Sequence, residues 1–162
     1  MGSVTRPHEE EWLVDSGSTH HMCNARDQFT ELEQATSCTR VVLGNSTSSK
    51  VSSVGTIDLE VRTGEGNEVS TILREVLLVP KLRKNLISVT RLMDDGVDVH
   101  FDSHEKSCKI IKEGETIGSA KLSNNLWVLD VVSKGERNEE SDVNGEANLA
   151  SIAKGLDLWQ DI

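Results

Sequence analysis

A period of two runs through this chain and decides its fold class. Ile57, Leu59 and Val61 alternate with Asp58, Glu60 and Arg62, the mark of a strand with one buried face and one wet face. β-Branched residues fill the neighbouring runs 39–43 and 50–61. The turn Gly64-Glu65-Gly66-Asn67 then leads into a return strand over 68–79, closed by Pro80. Further strands are expected at 11–14, 97–101, 107–112, 115–120 and 126–132, parted by Gly or Asn turns. One segment has another rhythm. Ser88 stands at an N-cap position, Val89, Leu92 and Met93 are its apolar residues, and Gly96 stands where a helix ends. About two turns of helix are expected there. Strand signals recurring every roughly 8–12 residues, with one short helix, predict an all-β chain curled into a small barrel.

Composition narrows the class. With three Trp, two Phe and no Tyr in 162 residues, the core must be built from Val, Leu and Ile, which favours strands. Seventeen Lys and Arg against 27 Asp and Glu leave a net charge of −10. Nucleic acid is therefore not an expected partner of this segment, because a phosphate-binding face must be basic. Anionic membranes are disfavoured for the same reason. The longest aliphatic runs, such as Val76-Leu77-Leu78-Val79, are far too short to cross a bilayer. The first eleven residues are polar and do not read as a signal peptide. Arg6 stands where a myristoylation start wants Ser or Thr. Three cysteines, Cys23, Cys38 and Cys108, fit a reducing compartment better than a disulfide scaffold. The expected location is intracellular and cytoplasmic, not secreted.

Four regions are expected. Residues 1–10 form an N-terminal extension and 11–132 the folded domain. Residues 133–148 read as a flexible acidic linker, since 134–148 hold no aromatic and a single branched aliphatic, Val143, too little to offset ordering entropy. Residues 149–162 are apolar again and read as the truncated start of a following module, or as a tail.

The sharpest chemical signal is Leu13-Val14-Asp15-Ser16-Gly17-Ser18. Two apolar strand residues deliver a carboxylate to a tight turn, where a hydroxyl can bond backbone and Gly lets the chain pass closely. Alone, the tetrapeptide is also an ordinary strand end. Competing chemistry is thinner. His20, His21 and Cys23 cluster, and His100, His104 and Cys108 are spaced as zinc ligands on a helix would be. Residues 97–101 alternate as a strand, however, so solvated or core-edge histidines are expected and no metal site is assigned. Ser16 or Ser18 with His20 or His21 lacks the G-x-S-x-G elbow of a serine hydrolase. The cysteines read as small apolar packing residues.

Four ordered blocks resemble the aspartic protease region of copia-type LTR retrotransposon polyproteins and, more distantly, the retropepsin family. They are residues 12–22 (Trp-Leu-Val-Asp-Ser-Gly-Ser-Thr-His-His-Met), Val42-Leu43-Gly44-Asn45 with Gly55-Thr56, Leu77-Leu78-Val79-Pro80 with Asn85-Leu86-Ile87-Ser88-Val89, and Leu126-Trp127-Val128-Leu129. The resemblance covers about residues 10–132. It implies a retropepsin-like acid-protease barrel with Asp15 as the catalytic aspartate, supported in its loop by Ser16, Gly17 and Ser18. It makes the hairpin of Leu43, Gly44, Asn45, Ser46, Val54 and Gly55 a flap over substrate, although residues 45–49 are entirely polar. It sets Leu86, Ile87 and Ser88 in the loop before the helix. Aspartic peptidases need two carboxylates sharing one proton, and this chain holds one Asp-Ser-Gly. Asp94-Asp95-Gly96 lacks the strand lead-in and fits a helix end. A second copy must then supply the second Asp15, giving a C2 homodimer. The implied activity is an endopeptidase processing a retrotransposon polyprotein, with no cofactor and a polypeptide substrate. The alternative is a domesticated or inactive barrel acting as an interaction or structural module. Leu158-Trp159 is similar to the first two residues of the segment that precedes the integrase in such polyproteins.

Overall fold

The computed structural model describes residues 11–43 and 46–132, without the side chains of 36–39 and 52. The regions expected at 1–10, 133–148 and 149–162 lie outside the described residues, as do Gly44 and Asn45. The elements run β1 (Trp12–Asp15), β2 (Met22–Cys23), a 3-10 turn (Arg26–Gln28), β3 (Phe29–Val42), β4 (Ser48–Arg62), β5 (Glu68–Leu78), β6 (Asn85–Ser88), α1 (Val89–Asp94), β7 (Val97–Asp102), β8 (Ser107–Lys112), β9 (Glu115–Ser123) and β10 (Leu126–Leu129).

The strands form one ten-stranded sheet in the order β3-β4-β5-β2-β6-β1-β10-β9-β8-β7. It curls without closing, and β3 and β7 remain its edges. A staple ties the two halves together across the curl. Val61 bridges Val131, Arg62 N–H donates to the Asp130 carbonyl at 2.7 Å, and Val132 N–H donates to that of Glu60 at 2.8 Å. The barrel expectation is thus met in curvature but not in closure.

Register divides the apolar residues into two cores. Leu77, Met22, Leu86, Leu13 and Val128 stand abreast across β5, β2, β6, β1 and β10, so they share one face. Their neighbours in sequence face the other way, into the main core, where Trp12, Ile57, Leu73, Leu92, Val97 and Cys108 are almost wholly buried. The first face meets the far end of the β3–β4 hairpin. Val41, Val51 and Leu43 pack there against Met22, Leu77, Val79, Leu82 and Leu86 as a second, smaller cluster.

Local rules explain the punctuation. Ser88 caps α1, with its hydroxyl accepting from Arg91 N–H, and Gly96 takes φ +77° just past the helix end. Asn124 and Asn125, at φ 50° and 64°, make the two-residue hairpin between Ser123 and Leu126. Three elements were absent from the period-two reading: β2, β6 and the first ten residues of β3. The first two are too short to show a period. The third, Phe29-Thr30-Glu31-Leu32-Glu33 onward, is an edge strand with mostly exposed side chains, so its pattern is polar.

Gly55 lets β3 and β4 press together. A Cβ there would lie 2.0 Å from the Glu31 carbonyl oxygen and 2.9 Å from the Phe29 ring, whereas one on Gly64 would meet nothing. Gly55→Ala is expected to destabilise the fold by about 2 kcal/mol or more, as overpacking against rigid backbone does. Gly64→Ala should shift stability by about 0.5 kcal/mol or less. Chemical denaturation of the two variants beside the parent chain measures both, and equal midpoints would refute the close approach.

Candidate active site

Asp15 is the last residue of β1, and parallel pairing of β1 with β6 places it opposite Ser88. The turn that follows folds back on the carboxylate. Gly17 N–H donates to Asp15 Oδ1 at 2.8 Å, while Oδ2 has no partner among the described residues. Asp15 is half-buried, Ser16 and Gly17 are exposed, and Ser18 is buried with its hydroxyl donating to the His20 carbonyl at 2.7 Å. The turn thus presents one carboxylate oxygen outward and holds the other.

The loop is fixed from beneath by Ser88. This serine is fully buried. Its hydroxyl donates to the Ser18 carbonyl at 2.6 Å and accepts from Arg91 N–H at 3.2 Å, with Thr90 Oγ1 3.0 Å away. Its backbone N–H donates to His21 Nδ1 at 3.0 Å. One residue therefore caps α1 and grips the Asp15 loop at two points. Leu86 and Ile87 lie on opposite faces just before it, Leu86 toward the smaller cluster and Ile87 in the main core.

His21 and Arg91 complete the support; from sequence His21 was weighed only as a metal ligand or hydrolase partner, and Arg91 not at all. Accepting from Ser88 requires a bare Nδ1, so His21 is neutral. Burial, then the positive charge of Arg91 and the neighbouring His20, push its pKa down to about 4. Arg91 Nε reaches the Thr19 carbonyl at 3.4 Å, and its Nη1 pairs with Glu75 Oε2 at 3.1 Å. Glu75 sits at φ 55° in a bulge of β5. The His-His-Met run ahead of a two-residue strand was the available signal for His21. A helix residue reaching back to a loop 72 positions earlier has no local signal at all.

The expected flap set separates. Leu43 and Ser46 belong to the hairpin turn, where Leu43 N–H donates to the Thr47 carbonyl at 2.8 Å and Ser46 takes φ 67°. Leu43 and Val54 pack on the smaller cluster, whereas Gly55 serves the β3–β4 crossing. Among the competing residues, Cys108 pairs with Phe101 across β7 and β8, so His100 faces the opposite side from Cys108. Burial raises Cys23 and Cys108 to about 11, which suits packing thiols rather than nucleophiles. Among the described residues no three His, Cys, Asp or Glu side chains come together as metal ligands would.

Fold and site define an open β-barrel carrying a buttressed strand-to-turn aspartate. Residues 12–97 match the family model described as Pol polyprotein, beta-barrel domain. That is just over half of the chain, which belongs to this family. It is similar to the retrovirus-related Pol polyprotein from transposon TNT 1-94 of Nicotiana tabacum, 29% identical over 151 residues, covering 93% of this chain and 10% of that protein. The corresponding polyproteins from transposons RE1 and RE2 of Arabidopsis thaliana are each 28% identical over 123 residues, covering 75% of this chain and 8% of theirs. The chain is a retrotransposon Pol region spanning a tenth or less of the polyproteins it matches. The family is described by its barrel, and no peptidase activity stands in that description.

Two measurements probe the loop support. Ser88→Ala removes a helix cap and leaves the Ser18 carbonyl only the longer bond from the Thr90 hydroxyl at 3.4 Å, so a loss of about 2 kcal/mol is expected from denaturation midpoints. His21 makes stability pH-dependent. Its folded pKa lies below its ordinary 6.5, so the unfolded chain takes up the proton first and stability falls as pH drops from 6.5 toward about 4. The loss amounts to about 3 kcal/mol across that window. His21→Gln should flatten the slope between pH 6.5 and 5, and an unchanged slope would mean another group carries it.

Proposed function

We propose that this domain is half of an aspartic endopeptidase, completed by a second copy of the chain and acting on the retrotransposon polyprotein to which it belongs. The carrying observation is Asp15 at the end of β1, with Oδ1 held by Gly17 and Oδ2 without a partner among the described residues. Two such carboxylates facing each other across a two-fold axis cannot both ionise, so they share one proton. The ionised aspartate takes a proton from water as it attacks the scissile carbonyl carbon. The protonated one donates to the carbonyl oxygen. The resulting tetrahedral species collapses with proton transfer to the leaving amine. The β3–β4 hairpin end, packed on the same face as Leu13 and Leu86, supports a role in covering a polypeptide laid across that face.

A second reading has its own observation. The family is described as a β-barrel domain without an activity, which favours a non-catalytic barrel serving as an interaction or structural module of the polyprotein. Peptide cleavage by the full chain under mildly acid conditions separates the two. Under the peptidase reading, Asp15→Asn loses about 10³-fold or more in kcat/KM while its thermal midpoint stays near the parent's. The pH profile is bell-shaped and belongs to the pair, and statine inhibitors that mimic the tetrahedral species compete. Cleavage that persists unchanged in Asp15→Asn rejects the peptidase. No cleavage by either protein, with the fold intact, leaves the module reading standing.

A further inference from the structure

Acidic residues outnumber basic ones in this chain, yet two of its stretches hold none. Residues 34–57 and 76–93 carry six of the 17 Lys and Arg and none of the 27 Asp and Glu. The fold brings the two stretches together. Val41 and Val51 from the first meet Leu77 and Val79 from the second in the smaller apolar cluster. Lys84 is neutralised by Glu11 and Arg91 by Glu75. Arg40, Lys50, Lys81 and Arg83 are exposed and have no carboxylate partner among the described residues. Register sets Arg40 directly opposite Lys50 across β3 and β4. Val41 and Val51 are buried in the cluster, so alternation turns Arg40, Val42 and Lys50 to the outer face of the hairpin. Like charges directly opposite each other destabilise a strand pair. Arg40 Nη1 donates to the Ser48 hydroxyl at 3.3 Å, which brings no negative charge. Val42, two residues along on the same face, is 75% exposed. The hairpin end thus displays a repelling cation pair beside a bare aliphatic side chain.

We propose that this outer face, Arg40 and Lys50 with Val42 beside them, docks an acidic segment of another polypeptide, one that presents carboxylates next to an aliphatic residue. The inference stands under either reading of the barrel, because the face is turned away from the cluster and from the sheet beneath it. Charge complementarity favours this occupant. Directly opposed residues have Cβ atoms about 5 Å apart, so one carboxylate between them answers both cations and turns their repulsion into attraction. The loop of Lys81 and Arg83 packs through Leu82 on the same cluster and adds to the positive potential there. Nucleic acid would answer the charge but not the rest. Neither stretch contains an aromatic residue on which a base could stack. The net charge of −10 also repels a long phosphate backbone. Val42 offers an apolar contact that a peptide side chain can use and a phosphate cannot.

Fluorescence anisotropy of a labelled peptide alternating Glu with Leu, titrated with the full chain, tests this. Binding should weaken as salt rises, and the same peptide with Gln in place of Glu should bind about tenfold more weakly. Lys50→Glu is the discriminating variant. It makes the cross-strand pair attractive, so the free chain should melt no lower than the parent. It should nevertheless bind the acidic peptide about tenfold more weakly. Arg40→Gln, a smaller change at the other cation, should weaken binding in the same direction and serves if the reversal unfolds the hairpin. Val42→Ser should weaken binding without altering its salt dependence. Lys109→Glu on β8, far from the hairpin in strand order, should leave binding at physiological salt near the parent's. Absence of binding, a neutral peptide held as tightly as the acidic one, or a folded Lys50→Glu or Arg40→Gln that binds as the parent does overturns the assignment. So does a single-stranded oligonucleotide bound more tightly than the peptide.

Discussion

Parallel pairing of β1 with β6 is the constraint from which the rest of the site follows. Parallel neighbours cannot be joined by a tight turn, so the chain must travel from Asp15 out through the β3–β4 and β4–β5 hairpins before returning at Asn85. The long excursion ends with the strand that carries Ser88 lying beside the strand that carries Asp15. Both strands then break at the same level, one into the Asp15 turn and the other into α1. The buried Ser88 hydroxyl serves both breaks, capping the helix and holding the Ser18 carbonyl. Without that pairing the aspartate would sit on an ordinary exposed turn.

Strand alternation supplies the second ingredient. Leu13 and Asp15 share a face because they are two residues apart, and the same arithmetic puts Trp12 and Val14 in the main core. A one-residue slip of β1 would bury the carboxylate and expose the tryptophan. Register is held on both sides, by β6 through four successive pairs and by β10 at Leu13 and Val128. The residues of β10 come from beyond the stretch matched to the family, which ends at residue 97. Even so, they line the flank of the aspartate strand, and Val131 and Val132, just after them, tie the sheet across its curl.

What could be read from sequence was whatever is local. The alternation at Ile57, Leu59 and Val61, the Ser88 cap, the Gly96 stop and the Asn124-Asn125 turn each depend on a few neighbouring residues, and each stands as expected. Asp15 with Gly17 was legible for the same reason, since its turn closes within three residues. The open form of the sheet was not, because closure depends on whether β3 and β7 meet, and no residue in either strand encodes that alone. Nor was the grip of His21 and Arg91 on the loop. Their partners lie 67 and 72 positions away, and a lone histidine beside a strand reads as a core residue until the strand opposite it is known. Gly55 was placed in the flap by resemblance to a family hairpin; that its missing side chain also admits the close approach of Glu31 depends on the strand opposite and has no local signal.

His21 and the proposed dyad pull in opposite directions with pH. A carboxylate pair that shares one proton is set for acid, where that proton is retained. The loop presenting each carboxylate is held by a histidine that must stay neutral, because a proton on Nδ1 would point a donor at the Ser88 N–H. The charges nearest His21, Arg91 and His20, both oppose its protonation. Glu75, drawn to Arg91, favours a charge on His20 and so adds to that protection. Burial is the larger cause and keeps the acceptor intact until about pH 4. The buttress therefore keeps its acceptor down to about pH 4 and loses it below. In such an arrangement, replacing Arg91 by a neutral residue removes one of the charges that oppose protonation of His21, so the grip on the loop gives way at a higher pH.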